Sequence, residues 1–212
     1  MNKKGLIIFD LDGVIINSEN NMMLSWTKTA YKLKIKKSFN QYRKFVGLGF
    51  FEILKKLKID KKKHQDAFKY YNSYSLKYVK KIKAFKGIKK ELKNLEQYYY
   101  LALFTSKNKT RVSKILKKEN LKFKKIITLN DVIKSKPNPE GLLKIIKSFN
   151  FKKKDIYYLG DTYHDLLAAK RAGISYYHCN WGFFQIKKKI NYIDSVKNLS
   201  KIFINSKVFT KN

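Results

Sequence analysis

Two short apolar runs, at residues 6–9 and 156–159, place the strongest constraint on the fold. Each run is rich in β-branched or aromatic residues and is followed closely by glycine, which is typical of buried parallel strands. Ligand sites in open α/β sheets lie beyond the carboxyl ends of the strands. The sequence therefore predicts that the acids following the two runs lie side by side: Asp10, Asp12, Asp161 and Asp165.

Acidic residues are scarce in this chain, which makes their positions informative. The 212 residues include 49 Lys and Arg against 15 Asp and Glu, a formal net charge of +34. Clustered carboxylates repel one another unless a cation lies among them, and oxygen donors suit Mg²⁺. A turn after the first strand and a helix cap after the second would also explain single acids, but two matched clusters favour a metal site.

The net charge by itself suggests nucleic-acid binding. However, only 3 of the 49 basic residues are arginine, and the lysines accompany many Ile, Asn, Phe and Tyr residues, as AT-rich codon usage would produce. Proteins that read DNA grooves or clamp phosphates rely on the planar arginine fork. A basic nucleic-acid-binding protein is therefore the less favoured hypothesis.

Composition also limits the class of protein. Apolar residues make up 44% of the chain, which is enough for a hydrophobic core, and the single cysteine, Cys179, excludes an internal disulfide. No apolar stretch reaches the ~18 residues that a membrane span requires. We expect a cytoplasmic protein without a membrane partner. The sequence does not specify an oligomeric state.

Hydrophobic periodicity divides the chain into a helical insertion and an alternating segment. Residues 19–81 have helical periods, with the third helix at residues 64–80, and contain no comparable buried strand. The later elements alternate as in a doubly wound sheet. The predicted helices are 88–96, 109–119, 139–149, 163–172 and 194–204, and the predicted strands are 4–10, 99–104, 125–128, 155–160 and 174–178.

Two further polar groups follow predicted strands or rigid turns. Thr105 and Ser106 come directly after strand 99–104, where hydroxyl and backbone N–H groups can bind phosphate oxygens. Lys136 is followed by Pro137, and Pro139 comes two residues later, which restricts the backbone on either side of the turn. This lysine is therefore expected to be held more rigidly than the solvated lysines elsewhere.

Four segments together resemble, in order and spacing, the motifs of the haloacid dehalogenase superfamily. The segments are Asp10-Leu11-Asp12-Gly13-Val14, Thr105-Ser106, Lys136-Pro137-Asn138-Pro139 and Gly160-Asp161-Thr162-Tyr163-His164-Asp165. The resemblance implies a Rossmann-like α/β core, with a doubly wound parallel sheet, in residues 1–17 and 82–212. It also implies an inserted α-helical cap in residues 18–81, as in phosphoglycolate phosphatase-like members and β-phosphoglucomutases.

The resemblance further implies roles for individual residues. Asp10 resembles the nucleophile that forms an aspartyl-phosphate, and Asp12 resembles the acid/base that protonates the leaving group and then activates water. Thr105, Ser106 and Lys136 resemble the residues that bind the phosphate. The implied Mg²⁺ ligands are Asp10, the backbone carbonyl of Asp12 and Asp161, and Asp165 would support the metal directly or through water. Because haloacid dehalogenases proper lack the second acid and need no metal, Asp12 favours a phosphoryl-transfer enzyme.

A glycine-bearing turn at residues 47–49 resembles the segment that some relatives direct into the active site. Arg43 and Lys44 lie beside it and are candidates to bind a second anionic group of the substrate. The alternative is a simple turn between helices.

The favoured function is a Mg²⁺-dependent phosphomonoesterase that acts on a small phosphorylated metabolite. The main alternative is a phosphomutase of the β-phosphoglucomutase type, which uses the same motifs but transfers the phosphoryl group to a second sugar hydroxyl. A requirement for a sugar bisphosphate would distinguish the mutase. The sequence does not identify the substrate.

Overall fold

The computed structural model describes residues 3–185 and 190–204. The predicted core segments, residues 1–17 and 82–212, therefore include positions outside the described residues, at 1–2, 186–189 and 205–212. The strands and helices below belong to the described part of the chain.

Six strands form one parallel sheet in the order β5-β4-β1-β6-β7-β8. Their bounds are β1 Gly5–Phe9, β4 Tyr99–Phe104, β5 Lys125–Ile127, β6 Ile156–Gly160, β7 Ser175–Cys179 and β8 Tyr192–Ile193. Strand β1 lies inside the sheet, with Ile8 opposite Ala102 of β4 and Tyr158 of β6. All five residues of β1 are buried because both faces of the sheet are covered.

Helices cover both faces of this sheet, which confirms the predicted doubly wound α/β fold. On one face, Ile7 and Phe9 pack in a cluster with residues of three helices, α5 Ile88–Glu96, α6 Lys109–Glu119 and α9 Leu199–Ile204. On the other face, Leu6 and Ile8 pack with residues of two helices, α7 Glu140–Ile146 and α8 Tyr163–Ala172.

Several predicted boundaries agree with the structure. The predicted helices 88–96, 109–119 and 163–172 and the strand 99–104 are confirmed at both ends. The stop predicted at Gly173 is also confirmed, because this glycine caps α8 in the left-handed conformation, with φ +70°.

The predictions for two later helices were wrong in extent. The helix predicted at 139–149 ends at Ile146, and the helix predicted at 194–204 begins only at Leu199. In the second case the residues before α9 form a short 3₁₀ turn, Val196–Asn198, with Val196 buried. This tighter turn follows strand β8 and takes the place of the first part of the predicted α-helix.

The inserted segment contains four α-helices with a hydrophobic cluster of their own. Their bounds are α1 Glu19–Lys32, α2 Phe39–Arg43, α3 Phe50–Lys56 and α4 His64–Lys77. Aromatic side chains dominate the cluster: Trp26 stacks on Tyr42 with ring centroids 4.7 Å apart, and Phe50 contacts Tyr71 at the same separation. Helix α4 is three residues shorter than predicted, and α2, which starts with a Ser38–Gln41 capping box, was missed because it is short.

A two-stranded antiparallel ribbon lies where the chain enters and leaves the helical segment. It pairs β2 Ile16–Asn17 with β3 Lys83–Ala84. The division into a core and a cap at these positions stays a prediction about how the chain is organised. None of the described helices has both the length and the apolar character needed to cross a membrane.

We predict that the Ile8→Ala substitution lowers the free energy of unfolding by about 2–5 kcal/mol, because it leaves a cavity in the central strand. Ile133→Ala is a matched control, since the Ile133 side chain is 91% exposed whereas Ile8 is fully buried. We expect the control to change the free energy by less than about 0.5 kcal/mol in urea unfolding. Equal effects would contradict the placement of β1 at the centre of the core.

Candidate active site

The parallel strands bring the predicted site residues together at the carboxyl ends of β1, β4 and β6. The Asp10 backbone N–H donates to the Leu159 carbonyl at 2.8 Å, which joins the ends of β1 and β6. On the other side of β1, the Thr105 N–H donates to the Ile127 carbonyl of β5 at 3.0 Å. Residues distant in sequence therefore line one cavity, including Asp10, Asp12, Thr105, Ser106 and Lys136.

Three carboxylates form a buried cluster at this end of the sheet. One oxygen from each of Asp10, Asp161 and Asp165 lies within 4.8 Å of the other two. All three side chains are buried. Such a group is costly unless positive charge compensates it, and its spacing and oxygen donors suit a hard divalent cation.

Lys136 supplies one compensating charge. Its Nζ donates to Asp10 Oδ1 at 2.7 Å and to Asp165 Oδ1 at 2.8 Å. Burial opposes the ammonium charge, but the two carboxylates raise the pKa of Lys136 above its ordinary value. The rings of Phe104 and Tyr158 lie 4.9 and 5.4 Å from the same nitrogen. The lysine is therefore fixed and charged beside Asp10.

Neighbouring groups shift the pKa of the Asp10 carboxyl in opposite directions. Burial raises its pKa, and the nearby charges of Asp165 and Asp12 act in the same direction, whereas Lys136 lowers it. A carboxylate that is only partly neutralised in a water-poor cavity is a stronger nucleophile than one in bulk water. The arrangement can therefore support attack by Asp10 on an electrophile bound in the cavity.

Asp165 holds Lys136 rather than presenting an open oxygen. Its Oδ2 accepts hydrogen bonds from the Thr162 backbone N–H at 3.0 Å and the Thr162 hydroxyl at 2.6 Å, in the capping box that starts α8. Its Oδ1 accepts from Lys136 and from the Tyr158 hydroxyl at 2.7 Å. Burial opposes ionisation, but these donors keep the pKa of Asp165 below its ordinary value. Its predicted metal contact stays a prediction.

Asp161 has the opposite character. Its Oδ2 accepts the Phe183 backbone N–H at 2.7 Å, whereas its buried Oδ1 has no hydrogen-bond partner among the described residues. Burial, together with the charges of Asp165 and Asp10, raises the pKa of Asp161 well above its ordinary value. A buried oxygen without a partner is what a bound cation would satisfy. The residues present therefore fit a Mg²⁺ ion.

Gly13 leaves room for this carboxylate. A Cβ atom at that position would lie 2.1 Å from Asp161 Oδ2. The backbone there has φ +82°, a value that residues other than glycine rarely adopt. The glycine after Asp12 is therefore required by the close approach of the loop following β1 to the loop following β6.

Asp12 faces a different neighbour from the other acids. Its Oδ1 accepts a hydrogen bond from the Ser18 hydroxyl and lies 3.1 Å from Lys107 Nζ. The Asp12 carboxylate is not part of the three-carboxylate cluster. Its position suits proton transfer at the cavity wall, and the predicted metal contact through its backbone carbonyl stays a prediction.

Residues of the inserted segment cover the cavity. They include Tyr42, Phe50 and Tyr71 of the helices and Val46, Gly47 and Leu48 of the turn between α2 and α3, and the cavity volume is about 50 Å³. Two hydrogen bonds join the 47–49 turn to the sheet side: the Ser106 hydroxyl donates to the Gly47 carbonyl at 2.7 Å, and the Gly49 N–H donates to the Ser135 hydroxyl at 3.2 Å. The turn therefore lies at the site.

Arg43 and Lys44 do not line this cavity. Arg43 pairs with Glu19, donates from Nη2 to the Phe183 carbonyl at 2.6 Å, and lies over the Phe184 ring. Lys44 is exposed. In this arrangement Arg43 ties the helical segment to the loop that supports Asp161, and the substrate contact predicted for both residues stays a prediction.

Sequence reasoning missed Lys107 and Arg111, which do line the cavity. Both are buried; Lys107 lies in the loop before α6, and Arg111 lies in the first turn of α6. Their spacing after Thr105-Ser106 was the available signal. It was obscured because lysines occur throughout this chain.

The same residues show which family the chain belongs to. Residues 7–178 match the family of haloacid dehalogenase-like hydrolases. The chain belongs to this family. This confirms the resemblance drawn from the four motifs.

Known relatives of this hydrolase include a protein named pyrophosphatase PpaX from Halalkalibacterium halodurans. It is 30% identical over 79% of this chain and 80% of its own length. Among solved structures, a predicted phosphatase from Clostridium acetobutylicum superposes with a TM-score of 0.84 at 22% identity, covering 96% of this chain and 100% of the other. A predicted phosphoglycolate phosphatase from Haemophilus somnus 129pt gives 0.78 at 24% identity, covering 96% and 99%.

We predict that Lys136→Met destabilises the metal-free hydrolase by about 3 kcal/mol, because it leaves buried carboxylates without their counter-charge. Lys134→Met is the matched control, since Lys134 is exposed in the same loop. We expect it to change the free energy of unfolding by less than about 0.5 kcal/mol. Urea unfolding in EDTA measures both variants, and an equal loss in the two would rule out this role for Lys136.

Proposed function

We propose that this hydrolase is a Mg²⁺-dependent phosphatase that acts on a small phosphorylated metabolite through an aspartyl-phosphate at Asp10. The observation that carries the proposal is the buried Asp10–Lys136 pair at 2.7 Å, beside an Asp161 oxygen that lacks a partner. The pair provides a nucleophile next to a fixed cation, and the Asp161 oxygen provides a ligand for Mg²⁺. The names of the relatives, pyrophosphatase and phosphoglycolate phosphatase, support phosphoryl transfer to water.

In the first step the Asp10 carboxylate attacks phosphorus, and the bond between phosphorus and the leaving oxygen breaks. Lys136 and the Thr105 hydroxyl stabilise the charge on the phosphoryl oxygens. Asp12, in its protonated form, gives its proton to the leaving oxygen. When bound at Asp10, Asp161 and the Asp12 carbonyl, Mg²⁺ supplies further charge neutralisation.

In the second step Asp12 accepts a proton from a water molecule, which attacks the aspartyl-phosphate. The phosphorus–oxygen bond to Asp10 breaks, and inorganic phosphate leaves. Asp12 thus regains the proton that it donated, and Asp10 returns as a carboxylate. For Asp12 to act first as the acid and then as the base, the leaving oxygen and the attacking water must each come within reach of its carboxyl group.

We further propose that residues 18–81 act as a cap on a core formed by residues 1–17 and 82–212. The support comes from the separate aromatic cluster of α1–α4 and from the contacts of the 47–49 turn with Ser106 and Ser135. A closed cap excludes bulk water, which strengthens the electrostatic interactions of Lys136 and protects the intermediate.

A phosphomutase uses the same chemistry but needs room for a sugar acceptor. The name of the relative from Halalkalibacterium halodurans, pyrophosphatase, favours water as the acceptor. The cover over the site also disfavours a nucleic-acid duplex as the partner. Phosphate release in the absence of any sugar bisphosphate distinguishes the phosphatase from the mutase.

We predict that Asp10→Asn lowers phosphate release by at least about 1,000-fold while the protein remains folded, because the amide cannot act as the nucleophile. The assay is inorganic phosphate release from a panel of small phosphorylated metabolites with Mg²⁺. Asp66→Asn, on the exposed surface of α4, is the matched control and should keep wild-type activity. Comparable activity in the Asp10 variant would exclude the covalent mechanism.

We also predict that EDTA abolishes the activity and that added Mg²⁺ restores it. In Asp161→Asn, loss of one ligand charge should raise the Mg²⁺ concentration for half-maximal activity about tenfold or more. Titration of activity with Mg²⁺ measures both effects. Full activity in EDTA would remove Asp161 from a metal-binding role.

A further inference from the structure

Two buried cations lie on the cavity wall beyond the residues that bind the transferred phosphate. Lys107 lies in the loop before α6 and Arg111 in the first turn of that helix, with 4% and 5% of their surface exposed. Both line the cavity that contains Asp10. Burying a cation is unfavourable unless an anion compensates its charge, so each side chain needs an anionic partner in the protein or in a ligand.

Lys107 has such a partner, because its Nζ lies 3.1 Å from the Asp12 carboxylate. Arg111 differs: within the described residues, no Asp or Glu carboxylate lies at ion-pair distance from its guanidinium. The guanidinium of arginine carries its positive charge over a planar group with several N–H donors. The charge of Arg111 is therefore available to an anion in the cavity.

The Arg111 guanidinium is held in place from two sides. Its Nε donates to Asn108 Oδ1 at 3.3 Å, and its Cζ lies 5.2 Å from the centre of the Tyr71 ring. Asn108 Nδ2 in turn donates to Asn72 Oδ1 at 3.0 Å. Because Tyr71 and Asn72 belong to α4, the helical segment and the start of α6 fix the arginine together. Such preorganisation lowers the entropic cost of binding an anion.

The position of the cavity limits what this anion can belong to. Arg111 and Asp10 line the same cavity, so an anion bound by Arg111 lies close to the phosphoryl group at Asp10. An uncharged leaving group there would leave the buried guanidinium without a counter-charge. A planar carboxylate or a phosphate would instead bind the arginine fork through two parallel hydrogen bonds.

We infer that Arg111, with Lys107 beside it, binds a second anionic group of the substrate. The substrate class is then a small phosphate ester or anhydride whose second anion, a carboxylate or a phosphate, lies close to the transferred phosphoryl group. This inference rests on the proposed phosphatase function. It assigns the second-anion role to Arg111 instead of Arg43 and Lys44.

The test compares kcat/KM for three substrates in the wild type and in Arg111→Met. Pyrophosphate carries a second phosphate, phosphoglycolate carries a carboxylate, and ethyl phosphate has no second anion. We expect the wild type to prefer at least one two-anion substrate over ethyl phosphate by about tenfold or more. Which of the two is preferred identifies the second anion. The Met variant should lose that preference, with a loss at least about tenfold greater for the two-anion substrate than for ethyl phosphate.

Lys114→Met is the matched control, because it removes one positive charge from an exposed position of the same helix. It should keep the wild-type preference, which separates a local contact from a general effect of net charge. Arg111→Lys keeps the charge but lacks the planar fork, so we expect a smaller loss of the same selective kind. If Arg111→Met does not fold, the Lys variant carries the test. A loss equal for all three substrates in the folded variant, or no preference in the wild type, overturns the inference.

A binding measurement separates this inference from the proposed function. Calorimetry with Mg²⁺ compares the non-hydrolysable compounds phosphonoacetate, methylenebisphosphonate and ethylphosphonate. We expect at least one two-anion compound to bind the wild type about tenfold tighter than ethylphosphonate, and Arg111→Met to remove that difference. If none of the three substrates is turned over but the binding difference persists, the proposed phosphatase function is contradicted and the second-anion site is not. Equal binding of the three compounds would contradict the second-anion site.

Discussion

The ion pair of Lys136 with two buried carboxylates is the interaction on which the site depends. Lys136 Nζ lies 2.7 Å from Asp10 and 2.8 Å from Asp165, and all three side chains are buried. Without the lysine, parallel strands β1 and β6 would bring acids together at a prohibitive electrostatic cost. The doubly wound sheet brings the strand ends and their carboxylates together, and the positive charge of Lys136 compensates the repulsion between these carboxylates. Thr162, Tyr158 and Lys136 all donate hydrogen bonds to the Asp165 carboxylate. Asp165 therefore holds the lysine in place.

The helical segment adds a second constraint, because its residues cover the end of the sheet and line the cavity there. Ser106 and Ser135 form hydrogen bonds with the 47–49 turn. Arg43 donates a hydrogen bond to the carbonyl of Phe183, and the backbone N–H of Phe183 donates to Asp161. In the cavity, the charges of Lys136 and Arg111 act at low dielectric and are stronger than they would be in water. The proposed substrate with two anionic groups rests on these two buried charges.

Much of the fold and part of the site could be predicted from the sequence, because their determinants are local. The apolar runs before Asp10 and Asp161 have strand character on their own, and the glycine and acid spacing after them is specific. Lys107 was missed because a buried lysine and a solvated one look the same in a sequence with 46 lysines, and Arg111 was missed because its burial arises only from tertiary packing. Arg43 was a candidate for substrate binding because it lies beside the 47–49 turn, and that contact stays a prediction. Its contacts with Glu19 and Phe183 could not be predicted because they arise only from tertiary packing.

The central claim is that Asp10 becomes phosphorylated during turnover, and trapping that species tests it most directly. The enzyme is mixed with a ³²P-labelled substrate and Mg²⁺, quenched in acid within one turnover, and digested for peptide analysis. The account predicts a label on the peptide containing Asp10 that hydroxylamine removes, as expected for an acyl phosphate. Rapid phosphate release with no label on the protein, or a label on another residue, would contradict it.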